Sequence, residues 1–450
     1  MTAPSQRRDQ TTEAQTTEAQ TGRVRTREVR TVLASSYLGS TIEYYDFLLY
    51  ATASAVAFPQ VFFAGMDHWV GVVASYGTFA AGYLARPLGG IIFGHFGDRV
   101  GRKKMLIISM MVMGIASTLI GAVPGGTTIG AWGAVILILL RVCQGIAVGG
   151  EWGGAALMAL EHSDPRKRGF SASFVNAGAP TGAVLGTLMM GVFSALPPDQ
   201  FLAWGWRVPF LLSFALLIVG MFIRLRVHES PIFAEALAKE AKENGTPKLP
   251  LLRVLRRPKA LIFTMLAGAA GFGLQVVLAT FAVTYAVSKG ADQQQVLYGF
   301  AGASLLSIGF VLIGGRLSDK FGRRPVMVAG LGLFIIYLLP MFAMFASGNP
   351  WLIFVAFTVG LLLHSCLYGP LAAFVSEQFG TTSRYTGASL GYQLATLLGA
   401  GFTPGIVAGI YQSAGHSIGP VAWYLAGLAA VSIIFIVLTR ESRHNDLTTV

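Results

Sequence analysis

Ten residues, Gly94-His95-Phe96-Gly97-Asp98-Arg99-Val100-Gly101-Arg102-Lys103, return 221 residues later as Gly315-Arg316-Leu317-Ser318-Asp319-Lys320-Phe321-Gly322-Arg323-Arg324. Both fit G-x-x-[GS]-D-[RK]-x-G-R-[RK], and each reads as a short basic loop between two long apolar runs. A charged motif repeated at half the chain length implies an internal duplication, so the chain must fold as two copies of one unit. In membrane proteins such repeats commonly place a binding site between the halves.

The medium is fixed by composition. Charged residues are 12% of the chain, hydrophobic residues 54%, and the mean hydropathy is +0.61. Soluble domains carry roughly 25% charged residues, so this chain cannot coat a water-facing surface. A membrane-spanning helix needs about 20 mostly apolar residues. Twelve stretches qualify: 32–58, 69–93, 105–123, 132–160, 169–195, 207–226, 259–287, 295–314, 326–346, 351–376, 386–411 and 419–439. The expected organisation is a polar, disordered tail over 1–30 with a tandem TTEAQ, a first six-helix bundle over 31–226, a linker over 227–258, a second bundle over 259–440 and a tail over 441–450. The sequence predicts an all-α polytopic membrane protein of two pseudo-symmetric six-helix bundles.

Lys and Arg orient it. With the N-terminus inside, 29 of the 33 fall on one side; Arg207 and Lys289 fall on the other, and Arg86 and Arg141 lie within helices. The positive-inside rule then makes both termini cytoplasmic. The net charge of +12 is split into short clusters and forms no continuous basic face, so nucleic acid is not an expected partner. Cys143 and Cys366 both sit in apolar segments, as small hydrophobes rather than a disulfide or metal pair.

Twelve spans in two halves, with the motif in loops 2–3 and 8–9, resemble the major facilitator superfamily. Further stretches are similar to its metabolite:proton symporter family: Glu43-Tyr44-Tyr45-Asp46-Phe47, Arg86-Pro87-Leu88-Gly89-Gly90, Gly149-Gly150-Glu151-Trp152-Gly153-Gly154, Trp204-Gly205-Trp206-Arg207-Val208-Pro209-Phe210, His228-Glu229-Ser230-Pro231 and Arg384-Tyr385-Thr386-Gly387-Ala388. The resemblance covers about residues 31–440. It implies proton-coupled import, by alternating access, of a small organic acid such as shikimate, a dicarboxylate or an aromatic acid. Another branch carries proline and betaine and often ends in a long coiled coil, whereas this sequence stops ten residues after Arg440. A third reading is a membrane sensor on a transporter scaffold.

Charges inside apolar segments are functional candidates, because each costs roughly 2.5–3.5 kcal/mol to insert. Glu43, Asp46 and Tyr50 share one face of segment one, with Glu43 about 16 Å into the helix. Two close carboxylates in a low-dielectric site resist joint ionisation, a property that proton coupling uses. Arg141 begins R-x-x-x-G-x-x-x-G with Gly145 and Gly149, and its fork suits a substrate carboxylate. Glu151 is a third proton-coupling candidate, or the partner of a loop cation. Arg86 either reaches the central cavity or snorkels to the surface. His364 and Tyr368 lie one turn apart in segment ten, and the 221-residue offset brings His364 opposite Arg141. Gln144, Gln275 and Gln393 complete the candidate substrate-binding set. For all of these the alternative is structural: a fixed ion pair or a helix–helix hydrogen bond. Asp98, Arg102, Asp319 and Arg323 are expected to latch the cytoplasmic side. The sequence holds no G-x-x-x-x-G-K-[ST] phosphate loop, no clustered metal ligands and no catalytic constellation. The expectation is therefore no enzyme, no cofactor and no metal, with the proton gradient as energy source. The expected partners are a small-molecule substrate, protons and membrane lipid, and the expected unit is a monomer.

Overall fold

The computed structural model describes residues 4–65, 68–227, 229, 235, 250–256 and 258–443; the side chains of 4–28 and of a few positions within the helices, 68–73 among them, fall outside the description. Every regular element among the described residues is helical. Lipid enforces this, since each buried backbone group must be satisfied within its own segment. The long helices, in chain order, are α1 (Pro4–Val56), α2 (His68–Val100), α3 (Arg102–Ala122), α4 (Trp132–Glu161), α5 (Pro165–Ser194), α6 (Pro198–Leu225), α7 (Pro258–Ser288), α8 (Gln293–Phe321), α9 (Arg323–Phe345), α10 (Pro350–Ser376), α11 (Arg384–Ser413) and α12 (Gly419–Leu438). Ten of them, α3 to α12, are long and apolar enough to cross a membrane by length and composition. The polar content of α1, including Ser40, Thr41, Glu43, Tyr44, Tyr45 and Asp46, lowers its hydropathy because this helix lines the interior.

Twelve long helices thus stand where twelve apolar segments are predicted. Three details differ. The backbone of α1 is helical from Pro4, where the sequence predicts a disordered tail; Ala, Glu, Gln and Arg there are good helix formers. Most of the 227–258 linker, including His228, Ser230 and Pro231, lies outside the described residues, although 250–256 is helical. The repeated motif is not a loop. Its first seven residues are the last turns of α2 and of α8, and its last two open α3 and α9. A single residue breaks the helix in each copy, Gly101 (φ 119°) and Gly322 (φ 101°). Only glycine adopts this backbone without strain, which explains that position of the motif.

The side chains of α2 separate lipid from interior. Leu84, Leu88, Ile92, Phe96 and Val100, spaced four apart, are exposed, whereas Ala85, Arg86, Gly89, Gly90 and Phe93 are buried. Within each half, α2 packs on α4 and α8 on α10 through glycine. A Cβ at Gly145 would overlap the Gly82 carbonyl, one at Gly149 that of Arg86, and one at Gly369 that of Val311. The halves meet where α2 and α4 touch α11 and where α5 touches α8 and α10.

Candidate functional site

Because Gly145 and Gly149 let α4 lie against the α2 backbone, Arg86 and Arg141 converge on one narrow cavity. Its lining includes Glu43, Asp46, Phe47, Arg86, Arg141 and Gln144. Arg86 is only 5% exposed, so it does not snorkel outward. Its guanidinium carbon stands 4.7 Å from the ring centroids of both Phe47 and Tyr83. Arg141 lies 4.2 Å over Tyr50, 5.0 Å over Phe79 and 5.2 Å over Phe47. Aromatic faces hold a cation without neutralising it. Among the described residues no carboxylate comes within 4 Å of either guanidinium.

The two carboxylates of α1 differ. Both Asp46 oxygens are occupied: Ser117 donates to Oδ2 and Ser213 to Oδ1, each at 2.6 Å. Gln144 Nε2 donates to Ser117 Oγ at 2.5 Å, and Arg141 Nη1 donates to Gln144 Oε1 at 3.0 Å. A chain of hydrogen bonds therefore runs from Arg141 through Gln144 and Ser117 to Asp46. Glu43, 3% exposed, leaves its Oε2 without a hydrogen-bond partner.

Other candidates are placed differently from expectation. Glu151 is ion-paired with Arg224, a cation of helix α6 and not of a loop. The Tyr50 hydroxyl is spent on Thr78 at 2.7 Å, so Tyr50 offers the cavity region only its ring, beneath Arg141. His364 does not join Arg141 at the cavity. Its Nε2 lies 3.0 Å from the Gly271 carbonyl on α7, an acceptor, so this nitrogen carries the proton. Gln393 reaches the Gly149 carbonyl at 3.4 Å, bridging α11 and α4, and Gln275 is half-buried on α7. Tyr368 belongs to a cluster the sequence did not suggest. Tyr44, Tyr368 and Tyr392, from α1, α10 and α11, bring their hydroxyls within 3.1–3.5 Å of one another. Trp152 stacks on Tyr392 with centroids 3.5 Å apart, and Asn176 ties Trp152 Nε1 to the Tyr368 carbonyl.

The motif aspartates lie at the face that carries the basic loops. Asp98 accepts from the backbone N–H of Tyr385 (3.2 Å) and Thr386 (2.9 Å) and from the Thr386 hydroxyl (2.8 Å), all at the start of α11. Asp319 accepts from Gly169 and Phe170 at the start of α5, both at 2.8 Å. Each half thus caps a helix of the other, and the halves are closed together on this face. Arg102 pairs with Glu161, which also accepts from Arg384 Nη1 at 3.0 Å. Arg323 pairs with Asp319 at 2.6 Å and with Glu377 at 3.2 Å. Glu161 and Glu377, at the ends of α4 and α10, were missed, and the 221-residue offset does not pair them. Two further glutamates cap the helices that follow the motif. Glu229 accepts from Lys103 N at 3.1 Å, and Glu441 from Arg323 N and Arg324 N at 3.1 and 3.0 Å. The Glu-Ser pair that follows the last helix of each half is the signal that could have found Glu441.

Comparison with known proteins agrees with this architecture. The family model of the Major Facilitator Superfamily matches residues 37–390 and 270–449. An Escherichia coli inner membrane metabolite transport protein, YhjE, is 42% identical over 92% of this chain and 95% of its own length. The shikimate transporter of Escherichia coli is 35% identical (91% and 94%), and its proline/betaine transporter 31% identical (92% and 84%). Among solved structures, the proton:xylose symporter XylE superimposes with a TM-score of 0.77 at 16% identity, over 93% of this chain and 98% of that one.

Proposed function

We propose that this chain, which belongs to the major facilitator superfamily, is a proton-coupled symporter that imports a small organic acid. One observation carries the reading: Arg86 and Arg141, neither paired with a carboxylate among the described residues, line the same cavity as Glu43 and Asp46. Two guanidiniums held by aromatic faces form an anion site, and a carboxylate substrate supplies the missing counter-charge bidentately. The adjacent carboxylates supply the proton site. Glu43 takes the proton, because its Oε2 accepts one without breaking a hydrogen bond. Asp46 senses Arg141 through Gln144 and Ser117. Each ligand then alters the site the other needs, which is the requirement for coupling.

In this reading the basic face is cytoplasmic, both termini are inside, and the chain works as a monomer in the inner membrane with the proton gradient as its energy source. The closed conformation at that face, held by Asp98 and Asp319, is the state before release of the substrate inward. The relatives named for shikimate and for proline/betaine transport bracket the substrate class. A free arginine pair favours an anion over a zwitterion.

The test is internal pH in proteoliposomes at zero membrane potential, with organic acids and betaines added one at a time. A proton influx triggered by one carboxylate, and lost in Glu43→Gln, is expected. Influx with betaine or proline alone would replace the acid with an osmolyte. No proton movement with any solute, from folded and oriented protein, would leave uniport or sensing as the better account.

A further inference from the structure

We propose that Glu151 and a second cavity beneath it, lined by both polar and apolar side chains, form a proton exit from Glu43 to the basic face, inside the first half and separate from the substrate's path. This rests on the proton-symport reading above. The cavity is lined by Ser35 and Ser36 of α1, Lys103 of α3, Met158 of α4, and Arg224 and Val227 at the end of α6, among others. All belong to one half, so the route does not depend on whether the two halves are closed together. Lys103 marks its outer end: the ammonium donates to the Leu225 carbonyl at 3.0 Å in an exposed position.

Arg224 forms the inner wall. Nη1 donates to the Leu106 carbonyl at 2.6 Å, one Nη2 hydrogen goes to Glu151 Oε1, and Nε has no partner. Glu151 is 0% exposed, and the ion pair uses only one of its oxygens; Oε2 is unpartnered. Gly39 makes this arrangement possible. A Cβ there would run into Arg224 Nη2 and come within 2.8 Å of Glu151 Oε1. Gly39 is four residues before Glu43, on the same face of α1. The pair therefore sits about one helical turn from Glu43, whose Oε2 is also unpartnered. Roughly 5–6 Å separates neighbouring turns, a gap that one water spans with two hydrogen bonds of about 2.8 Å.

The transfer balances. Protonated Glu43 gives its proton to the bridging water as that water gives one to Glu151 Oε2. Glu151 then loses its proton to water in the lower cavity and returns to its charge pair with Arg224. Fixed cations stand along the whole route, Arg86 and Arg141 in the cavity with Glu43, Arg224 beside Glu151 and Lys103 at the mouth, so direction comes from the substrate's charge. A substrate carboxylate bound at Arg86 and Arg141 favours the proton on Glu43, and its departure releases it.

Glu151→Gln keeps an oxygen for Arg224 but cannot carry the proton. Two rates are compared in proteoliposomes: exchange of labelled against unlabelled acid at equal pH, and proton influx driven by the same acid. Expected are exchange within about twofold of wild type, proton influx reduced at least tenfold, and partial recovery of influx in Glu151→Asp. Unchanged proton influx in Glu151→Gln would overturn the exit. So would equal loss of both rates, which would make the pair with Arg224 structural. A wild-type protein that moves no protons removes the symport reading itself, and is recognised before any variant is made.

Discussion

Asp46 and Glu43 stand three residues apart on one helix, yet their surroundings assign them different work. Asp46 accepts two serine hydroxyls and is linked to Arg141 through Ser117 and Gln144. Losing Ser117 should therefore weaken the anion site without touching the substrate. Ser117→Ala leaves Asp46 Oδ2 and Gln144 Nε2 short of a partner, at about 1–2 kcal/mol. If that energy falls on binding, the KM of the transported acid rises about 5- to 30-fold with little change in maximal rate. Uptake kinetics would decide it, and an unchanged KM would mean that the relay does not position Arg141. The four charged residues of this cavity could be singled out in the sequence because charge inside an apolar segment is costly, although a fixed ion pair stood as the alternative for each. Ser117 and Ser213 were not, since serine in a membrane helix normally bonds its own backbone, as Ser109 and Ser365 do here. Arg224, only 3% exposed, was not singled out because it stands at the end of an apolar segment, where a cation normally reaches the surface.

At the level of elements, the recurring device is a carboxylate on the N-terminus of a helix, where unpaired N–H groups and the helix dipole favour an anion. Asp98 serves α11, Asp319 serves α5, Glu229 serves α3 and Glu441 serves α9. The first two caps cross between halves, so breaking them loosens closure; the last two stay within a half. Asp98→Asn keeps the size and loses the charge. A cap is worth about 1 kcal/mol, so backbone hydrogen exchange over residues 385–388 should quicken about fivefold, and uptake should slow while substrate affinity is kept. Mass spectrometry of exchange in detergent or nanodiscs reads the first effect. Protection unchanged at α11 would remove Asp98 from the latch. The motif's role at a face of the protein was readable from its position between apolar runs. Its helical form was not, because a charged stretch at the end of a span looks the same whether the helix stops before it or carries it.

Across the whole molecule the scaffold is symmetric and the chemistry is not. Glycine packing, the helix-breaking Gly101 and Gly322, and the two aspartate caps recur in both halves. The cavity's lining, carboxylates and arginines included, comes from the first half, whereas the buried polar side chains of α10 and α11, Tyr368, Tyr392, His364 and Gln393, lie outside it. Repeat arithmetic therefore predicted the architecture well and His364 poorly: duplicated backbones keep their packing, while side chains diverge once one half holds the charge. What the second half keeps in common is its contacts at the closed basic face. Glu161 accepts from Arg102 of its own half and Arg384 of the other, and all three are buried. Glu161→Gln removes the carboxylate that joins Arg384 across the halves in the closed conformation, whereas the pair with Arg102 lies within one half. Breaking a buried pair costs about 3–5 kcal/mol, enough to shift the balance between conformations by about a hundred- to a few thousandfold. Spin labels on Lys104 and Lys320, exposed on the basic face of each half, should show one short distance in the parent protein. The variant should add a longer population that a bound substrate changes. A distribution identical in both would mean that Glu161 stabilises each conformation equally, and closure would then rest on the aspartate caps.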